Sequence, residues 1–153
     1  MDIRPAAAPD LPAIAGIVEA AYSPYIPRIG KKPGPMLDDY AALIGAGRVS
    51  VMVEAGRVLG LLVLLPMEGH MLLDNIAVAP DAQGRGVGKR LMIAAERAAR
   101  AAGHDEIRLY THEKMVENVA IYTRIGYRET HRIREKGFDR VYMAKSLGAS
   151  PNT

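Results

Sequence analysis

The sequence contains no cysteine and no tryptophan, and phenylalanine occurs once among its 153 residues. The absence of cysteine excludes disulfides, thiolate nucleophiles and cysteine-ligated metals. The four histidines lack an H-x-x-x-H type of ligand spacing, so we predict that the protein binds no metal. The scarcity of aromatic side chains argues against a surface on which bases stack, so we predict no nucleic-acid partner.

Long hydrophobic runs are also absent. The longest, "VLGLLVLLPM", is far short of the roughly 20 residues that a membrane helix needs. The start, "MDIRPAAAPDL", lacks the basic, apolar and small-residue order of a signal peptide. We therefore expect no membrane partner and a cytoplasmic location. The composition, 49% hydrophobic and 24% charged, is typical of a globular protein. We predict one domain over residues 1–147 and a frayed tail over 148–153, and a homodimer remains open.

Hydrophobic periodicity predicts the element order β-α-α-β-β-β-α-β-α-β-β, which indicates a mixed sheet covered on both faces. In the first helix, "PDLPAIAGIVEAAY", Asp10 stands at the N-cap position. The four prolines of "SPYIPRIGKKPGP" predict a loop. The strongest helix lies within residues 86–103. Its predicted apolar stripe consists of Val87, Leu91, Ile93 or Ala94, and Ala98.

The stretch "AQGRGVGKRLM", residues 82–92, places three glycines, followed by two cations, where a helix begins. The N-terminus of a helix has unpaired N–H groups and a favourable dipole, so it can hold an anion. Glycines there let the backbone approach a pyrophosphate without a Cβ in the way. Two phosphate motifs do not fit: Walker A requires Ser or Thr after Lys89, and the glycine spacing is not G-x-G-x-x-G.

The pattern Gln83-x-x-Gly86-x-Gly88, preceded by "DNIAVAP" and followed by "AIYTRIGY", resembles the GNAT N-acetyltransferase superfamily. In that family a Q/R-x-x-G-x-G/A motif binds the pyrophosphate of coenzyme A, and the strand and helix order is similar. The resemblance implies an α/β (α+β) fold, a mostly antiparallel sheet of about seven strands with helices on both faces, and acetyl-CoA as acyl donor. The coenzyme-binding residues it implies are Ile76, Ala77, Val78, Gln83, Gly84, Arg85, Gly86, Val87, Gly88, Lys89 and Asn118.

The resemblance also implies a role for Tyr122, because the family places a tyrosine near the sulfur at this point of the helix after the fifth strand. A phenol can return a proton to a leaving thiolate. The alternative is a half-buried tyrosine that packs with its neighbours. The surrounding motif departs from the family, since Met115 stands where Asn is common and Asn118 where a small residue is common. Asn118 either serves the coenzyme from a shifted position or bonds locally.

The candidate base lies in "HMLLDNIAV". In a strand, His70, Leu72, Asp74, Ile76 and Val78 share one face. Relatives carry Glu or His on this face, at the position of Asp74 or two residues earlier. We therefore predict that Asp74 is the base, through a water, while a structural role for it stays open. His112 and Glu113 are the alternative candidates for the base. In relatives, backbone groups of the fourth strand contact the pantetheine arm, which corresponds to residues 76–78.

The sequence says less about the residues that bind the acceptor, the amine that receives the acetyl group. Relatives shape the acceptor side with the segment that corresponds to residues 23–36, so we predict substrate contacts from Tyr25 and Arg28, with Lys31 and Lys32 nearby, and from His131 and Arg134 on the last hairpin. The acceptor is expected to be a primary amine of a small molecule or a peptide. The alternatives are a non-catalytic acyl-CoA-binding module and, because the net charge is +3, a basic nucleic-acid-binding domain.

Overall fold

The computed structural model describes residues 1–148, in which seven strands form one mixed sheet with the order β1-β2-β3-β4-β5-β7-β6. β4 pairs with β5 in parallel, whereas the pairs β1–β2, β2–β3, β5–β7 and β6–β7 are antiparallel. The predicted fold class and strand count are therefore confirmed. The strands are β1 (Asp2–Pro5), β2 (Val49–Glu54), β3 (Arg57–Pro66), β4 (Met71–Val78), β5 (Glu106–His112), β6 (Arg128–Glu135) and β7 (Phe138–Ser146).

Five α-helices occur along the described chain. The helices are α1 (Leu11–Tyr22), α2 (Ile26–Ile29), α3 (Tyr40–Gly45), α4 (Val87–Ala101) and α5 (Val116–Arg124). In α1, the buried residues Ile14, Ile17, Val18 and Tyr22 recur at the spacing of one helix face.

The chain divides into two compact units. The first unit consists of Met1–Leu64 with Asn75–Ala95, and the second consists of Leu65–Asp74 with the chain from Glu96 onward. β3, β4 and α4 each contain residues of both units. The predicted tail, residues 148–153, lies outside the described residues except for Gly148.

The core of the first unit is built from alternate residues of its strands and one side of its helices. Ile14 of α1 is fully buried, as are Val51 of β2, Leu61 of β3 and Leu91 of α4. Gly60 of β3 lies in this core, where an added Cβ would stand 2.9 Å from the carbonyl oxygen of Ala77. The close approach of β4 to β3 therefore requires glycine at this position.

In the second unit, β5 and β7 supply the buried strand face, with Ile107, Leu109, Val141 and Met143 each no more than 1% exposed. The strand β6 follows β7 as an edge strand, and its side chains are almost all exposed and mostly charged. Charged residues on an edge strand discourage pairing with another chain.

The segment 23–36, predicted as a loop, instead contains short helical turns: a 3-10 turn at Ser23–Tyr25, the helix α2 and a 3-10 turn at Gly34–Leu37. Proline occupies the first or second position of each one. Because proline fixes φ near −65° and the first helical residues need no N–H partner, these prolines start helical turns rather than exclude them.

Two details of the helix predictions are also corrected. Asp10 stands at the N-cap of α1, but its side chain does not cap that helix; it accepts hydrogen bonds from Ala7 N and from Arg4. In α4, Ile93 is 41% exposed and lies off the buried row. The buried row contains every fourth residue of the helix: Val87, Leu91, Ala95 and Ala99.

Within residues 1–148, no helix combines the length and apolar character needed to cross a bilayer. In the same part of the chain, no three His, Asp or Glu side chains converge in a way that suits a metal ion.

Candidate active site

The glycine turn of the first unit precedes α4. Gly84 and Gly86 adopt positive φ angles of 80° and 82°, which residues with a Cβ rarely adopt. Neither position has another group within 4 Å of where a Cβ would stand, so the backbone of the turn is open on that side. The first N–H groups of α4, at Val87, Gly88 and Lys89, have no acceptor one turn earlier. The turn therefore presents N–H groups that have no partner within the helix, at the positive end of a 15-residue helix.

The cations of the turn differ in their surroundings. Arg85 forms an ion pair with Glu54 at 2.6 Å, and both side chains are exposed. Arg90 donates to the carbonyl oxygen of Met1 at 3.3 Å. Lys89 is exposed, and within residues 1–148 it forms no ion pair. Lys89 is thus the cation of the turn with the least competition for an added anion.

The last residues of β4 lie beside this turn. A Cβ on Gly88 would stand 3.7 Å from Val78 Cγ2, so two of the predicted coenzyme residues, Val78 of β4 and Gly88, are neighbours. Along β4, Ile76 and Val78 are half-buried while Ala77 is buried. The carbonyl oxygen of Ile76 already accepts a hydrogen bond from the Tyr22 hydroxyl at 3.2 Å.

A buried polar network in the first unit was not foreseen from the sequence. Asn75 is 3% exposed, its Oδ1 accepts from Tyr22, and its Nδ2 donates to the Tyr40 hydroxyl at 2.9 Å. Tyr40 in turn donates to the carbonyl oxygen of Pro35 at 2.6 Å. The network ties α1, α3 and the segment 34–37 to β4. Its one sequence signal is a polar residue on the core side of the β4 alternation.

In the second unit, Asp74 is half-buried and its Oδ1 accepts a hydrogen bond from the Tyr110 hydroxyl at 3.0 Å. Burial raises the pKa of Asp74, and the Tyr110 hydrogen bond and the charges of Arg140 and Lys136 only partly oppose it. Desolvation disfavours the carboxylate form, whereas donors and cations favour it. A carboxylate with a raised pKa is a better proton acceptor near neutral pH.

Behind Tyr110 lies a row of stacked and charged side chains. The Arg140 guanidinium lies over the Tyr110 ring at 4.3 Å and forms an ion pair with Glu135 at 2.9 Å. Tyr142 lies 5.5 Å from Tyr110 and also donates to Glu135. His131, a predicted acceptor residue, stacks on Tyr142 with 4.6 Å between ring centroids. Asp74 and His131 are therefore connected through two tyrosine rings.

Tyr122, the predicted acid, is a half-buried residue of α5. Its ring meets that of Tyr127 edge to face, with centroids 5.9 Å apart. Tyr127 is 2% exposed, and its hydroxyl has no hydrogen-bond partner in residues 1–148. Burial and the nearby Glu96 raise the pKa of Tyr127, while Glu96 itself pairs with Lys145 at 3.0 Å.

Asn118 bonds locally. Its Nδ2 donates to Met115 Sδ at 3.6 Å, and the Thr111 hydroxyl donates to the same sulfur at the same distance. His112, an alternative candidate for the base, accepts a hydrogen bond from Lys114 N through Nδ1 and meets Phe138 edge to face.

The acceptor candidates of the first unit contact each other, since the Arg28 guanidinium lies 5.1 Å from the Tyr25 ring centroid. Among the other acceptor candidates, Arg134 on β6 is paired with Asp139 at 3.1 Å.

The sequence did not single out Tyr110 or Arg140. Strand alternation places Tyr110 on the polar side of β5, but it does not give the register of β5 against β4. That register, Met71 with Ile107 through Leu73 with Leu109, is what puts Tyr110 beside Asp74.

Comparison with known proteins identifies one family. The model described as "Acetyltransferase (GNAT) family" matches residues 14–127, which is most of the chain.

Three solved structures illustrate the likeness of the fold. The ribosomal-protein-S18-alanine N-acetyltransferase from Escherichia coli is 21% identical, with 99% of this chain and 97% of that chain covered and a TM-score of 0.76. A GNAT family acetyltransferase from Elizabethkingia anophelis with acetyl-CoA bound is 19% identical, with 95% and 97% covered and a TM-score of 0.71. Nourseothricin acetyltransferase is 23% identical, with a TM-score of 0.59; this chain spans 65% of its length, and 65% of this chain is covered.

Proposed function

The chain belongs to the acetyltransferase (GNAT) family, and from that premise we propose that it is an acetyl-CoA-dependent N-acetyltransferase. The acceptor is a primary amine that attacks the thioester directly in a ternary complex. We further propose that residues 1–147 form one acetyltransferase domain, which is supported by the nearly full-length match to the S18-alanine enzyme.

The observation that carries this proposal is the open glycine turn before α4. Positive φ angles at Gly84 and Gly86, and the open space beside them, suit a backbone that lies against a pyrophosphate. The helix N-terminus and Lys89 supply the charge. The turn residues from Gln83 to Lys89, together with Ile76, Ala77 and Val78, would hold the coenzyme. Asn118, whose Nδ2 donates to Met115 Sδ, is a candidate contact through its second N–H or its Oδ1.

Acetyl-CoA, when bound, supplies the thioester whose carbonyl carbon is attacked. An alkylamine has an ordinary pKa of about 10.4, so it must lose a proton before it attacks. Asp74 accepts that proton through a water, and its raised pKa suits the task. Tyr122 holds a proton for the departing thiolate, because a phenol and a thiol have similar acidities. A backbone N–H of residues 76–78 stabilises the developing oxyanion, a contribution of about 3 kcal/mol.

The acceptor is a small-molecule or peptide amine, with Tyr25, Arg28 and His131 as its candidate contacts. The names of two structural neighbours, a nourseothricin acetyltransferase and a ribosomal-protein-S18-alanine N-acetyltransferase, show that this fold serves very different amines. The acceptor therefore has to be found by experiment.

The test is release of free thiol from acetyl-CoA across a panel of primary amines, with each amine omitted in turn. Thiol release that depends on an amine supports the proposal. Coenzyme binding without amine-dependent thiol release indicates the non-catalytic acyl-CoA-binding module instead. Salt-sensitive binding to DNA or RNA without competition from coenzyme A indicates the nucleic-acid-binding alternative.

The assignment of Asp74 has its own test. Asp74→Asn keeps the shape and removes the charge, so acetyl-CoA affinity holds and turnover falls. The loss is largest at low pH, because at high pH a larger share of the amine is already neutral. If the pH profile of kcat/KM matches the wild type, Asp74 has a structural role, and His112 and Glu113 become the candidates for the base.

A further inference from the structure

Asp74 and Tyr110 are neighbours because of how β4 and β5 pair. The parallel pairing joins Met71–Leu73 to Ile107–Leu109, and Asp74 and Tyr110 are the next residue of each strand. In the second unit this juxtaposition places the Tyr110 hydroxyl 3.0 Å from Asp74 Oδ1. Within residues 1–148, the Asp74 carboxyl accepts this hydrogen bond at Oδ1 and none at Oδ2.

The Tyr110 ring is held from two sides. Arg140 lies over its face at 4.3 Å, and Tyr142, its register partner on β7, packs against it with 5.5 Å between centroids. Arg140 is itself fixed by Glu135, and its side chain is 11% exposed. A ring stacked in this way has little freedom to turn, so its hydroxyl stays directed at Asp74.

An aspartate carboxyl group otherwise rotates readily, because the terminal sp³–sp² torsion has broad, shallow minima. A donor that binds Oδ1 restricts this rotation and leaves Oδ2 to accept a proton. Orientation of this kind contributes to rate, because a proton acceptor acts only within hydrogen-bond reach of its donor.

We propose, on the basis of the proposed function, that Tyr110 is a positioning residue: its hydroxyl occupies Asp74 Oδ1 and so directs proton transfer to Oδ2, while Arg140 holds the Tyr110 ring. The charged and titratable groups that face Asp74 are Tyr110 of β5, Arg140 of β7 and Lys136 of the β6–β7 turn. Both cations favour the carboxylate and remain in place when the Tyr110 hydroxyl is removed.

The primary test is Tyr110→Phe, with Tyr142→Phe as the matched control. Both variants remove one hydroxyl from adjacent rings, but the Tyr142 hydroxyl binds Glu135 rather than Asp74. An NMR titration of the Asp74 carboxyl carbon gives its midpoint without any turnover. The midpoint moves to higher pH in Tyr110→Phe, because a donor to the carboxylate is lost, and does not move in Tyr142→Phe. An unchanged or lower midpoint in Tyr110→Phe overturns the proposal.

Kinetics then tests whether Tyr110 acts through Asp74. In Tyr110→Phe we expect kcat/KM to fall about tenfold at a pH above the Asp74 midpoint but below the pKa of the amine, as for loss of one hydrogen bond to a charged group, with KM for acetyl-CoA unchanged. In the Asp74→Asn background the same change costs less than about twofold, since coupled sites are not additive. An undiminished tenfold loss in that background overturns the positioning role.

Two further measurements separate a failure of this proposal from a failure of the proposed function and from misfolding of the variant. If no amine supports thiol release, the proposed function fails, while the NMR midpoints still decide whether Tyr110 controls Asp74. If Tyr110→Phe does not fold, the wild type is measured with a labelled Tyr110 Cζ. A chemical-shift inflection at the Asp74 midpoint supports the hydrogen bond, and a flat titration curve overturns the proposal.

Discussion

At the scale of single residues, Tyr122 and Tyr127 are the same residue type in two different environments. They lie five positions apart, and their rings touch edge to face, yet Tyr122 is half-buried and Tyr127 is only 2% exposed. The partly exposed phenol is accessible to a ligand, whereas burial raises the pKa of the Tyr127 phenol. The two hydroxyls therefore predict opposite consequences when they are removed.

Tyr122→Phe keeps the ring and removes the proposed proton donor. We expect kcat to fall about 100-fold, toward the low end of general acid effects, because a thiolate leaves tolerably without a proton. KM for acetyl-CoA stays near the wild-type value, since the lost interaction belongs to the transition state. Steady-state kinetics with a thermal melt is the measurement. A folded variant with normal kcat excludes Tyr122 as the acid.

Tyr127→Phe is the matched variant and concerns stability. A buried hydroxyl with no partner carries a desolvation cost of about 1 to 3 kcal/mol. Among residues 1–148 the Tyr127 hydroxyl has no partner, so we expect its removal to raise the free energy of unfolding by about 1 kcal/mol. Urea denaturation measures the change. A loss of stability would mean that the hydroxyl has a partner in solution, such as an ordered water.

At the scale of elements, the turn before α4 connects β4 to the N-terminus of α4. The β4 strand is packed closely against β3, whereas the turn is open to solvent. Gly84 and Gly86 have no neighbours within 4 Å of a Cβ position, whereas Gly60, in β3, has three within 3.1 Å. The same residue type therefore serves ligand access in one place and close packing in the other.

Gly86→Asp tests access. A carboxylate beside the proposed pyrophosphate site opposes the helix dipole, so we expect coenzyme A to bind at least about tenfold more weakly. Gly86→Asn is the control, because it has the same shape and a similar tolerance of positive φ without the charge. Calorimetric titration of both folded variants separates the charge from the Cβ. Unchanged affinity in Gly86→Asp removes the turn from the coenzyme site.

Gly60→Ala tests packing. The added Cβ would stand 2.9 Å from the backbone oxygen of Ala77 and 3.1 Å from side-chain atoms of Val87 and Leu91. We expect a loss of about 1 to 3 kcal/mol in unfolding free energy, the usual cost of overpacking. Gly16→Ala is the control, since that position in α1 has nothing within 4 Å. There we expect a gain of about 0.5 to 1 kcal/mol from helix propensity. Equal effects of the two changes would contradict the packing argument.

At the scale of the whole molecule, carboxylates with shifted pKa values predict how the stability of the fold depends on pH. The Arg4 guanidinium, with help from Ala7 N, lowers the pKa of Asp10 to about 2. Because this pKa lies below its ordinary value, ionised Asp10 stabilises the fold above about pH 4. That stabilisation is lost as the pH falls toward 2.

Asp10→Asn removes this contribution. At pH 7 we expect a loss of about 2 kcal/mol at most in unfolding free energy, reduced by the partial exposure of Arg4. The difference from wild type narrows as the pH falls below 4. Asp81→Asn, which breaks an exposed pair with Arg57, is the control and has a smaller effect. Urea denaturation across pH decides, and an effect of Asp10→Asn that is constant from pH 7 to pH 3 would contradict the assignment.

Ionisation of Asp74 has the opposite effect on the stability of the fold. Its pKa is raised by burial, so the native state prefers the protonated form and ionisation at neutral pH lowers stability. Asp74→Asn is accordingly expected to stabilise the protein at pH 7 while it lowers turnover. A residue that costs stability and supports activity is typical of a functional site.

The sequence alone predicted the seven strands, their order along the chain, the long helix after the glycine turn and the family. These depend on local signals: two-residue and four-residue periodicity, glycines and prolines at boundaries, and a short motif with a set spacing. Where a local signal was ambiguous, as with the prolines of residues 23–36, the prediction was wrong, because proline both ends and starts helical turns.

Only the tertiary structure decided which side chains meet. The Tyr110–Asp74 hydrogen bond depends on the register of two parallel strands, and the Tyr22–Asn75–Tyr40 network joins residues 35 and 53 positions apart. No periodicity encodes such registers, because a strand pattern gives the face of a residue but not its neighbour on the next strand. The chemistry expected of Asp74 was readable from the chain, and the partner that orients it was not, since that partner is set by packing among distant segments.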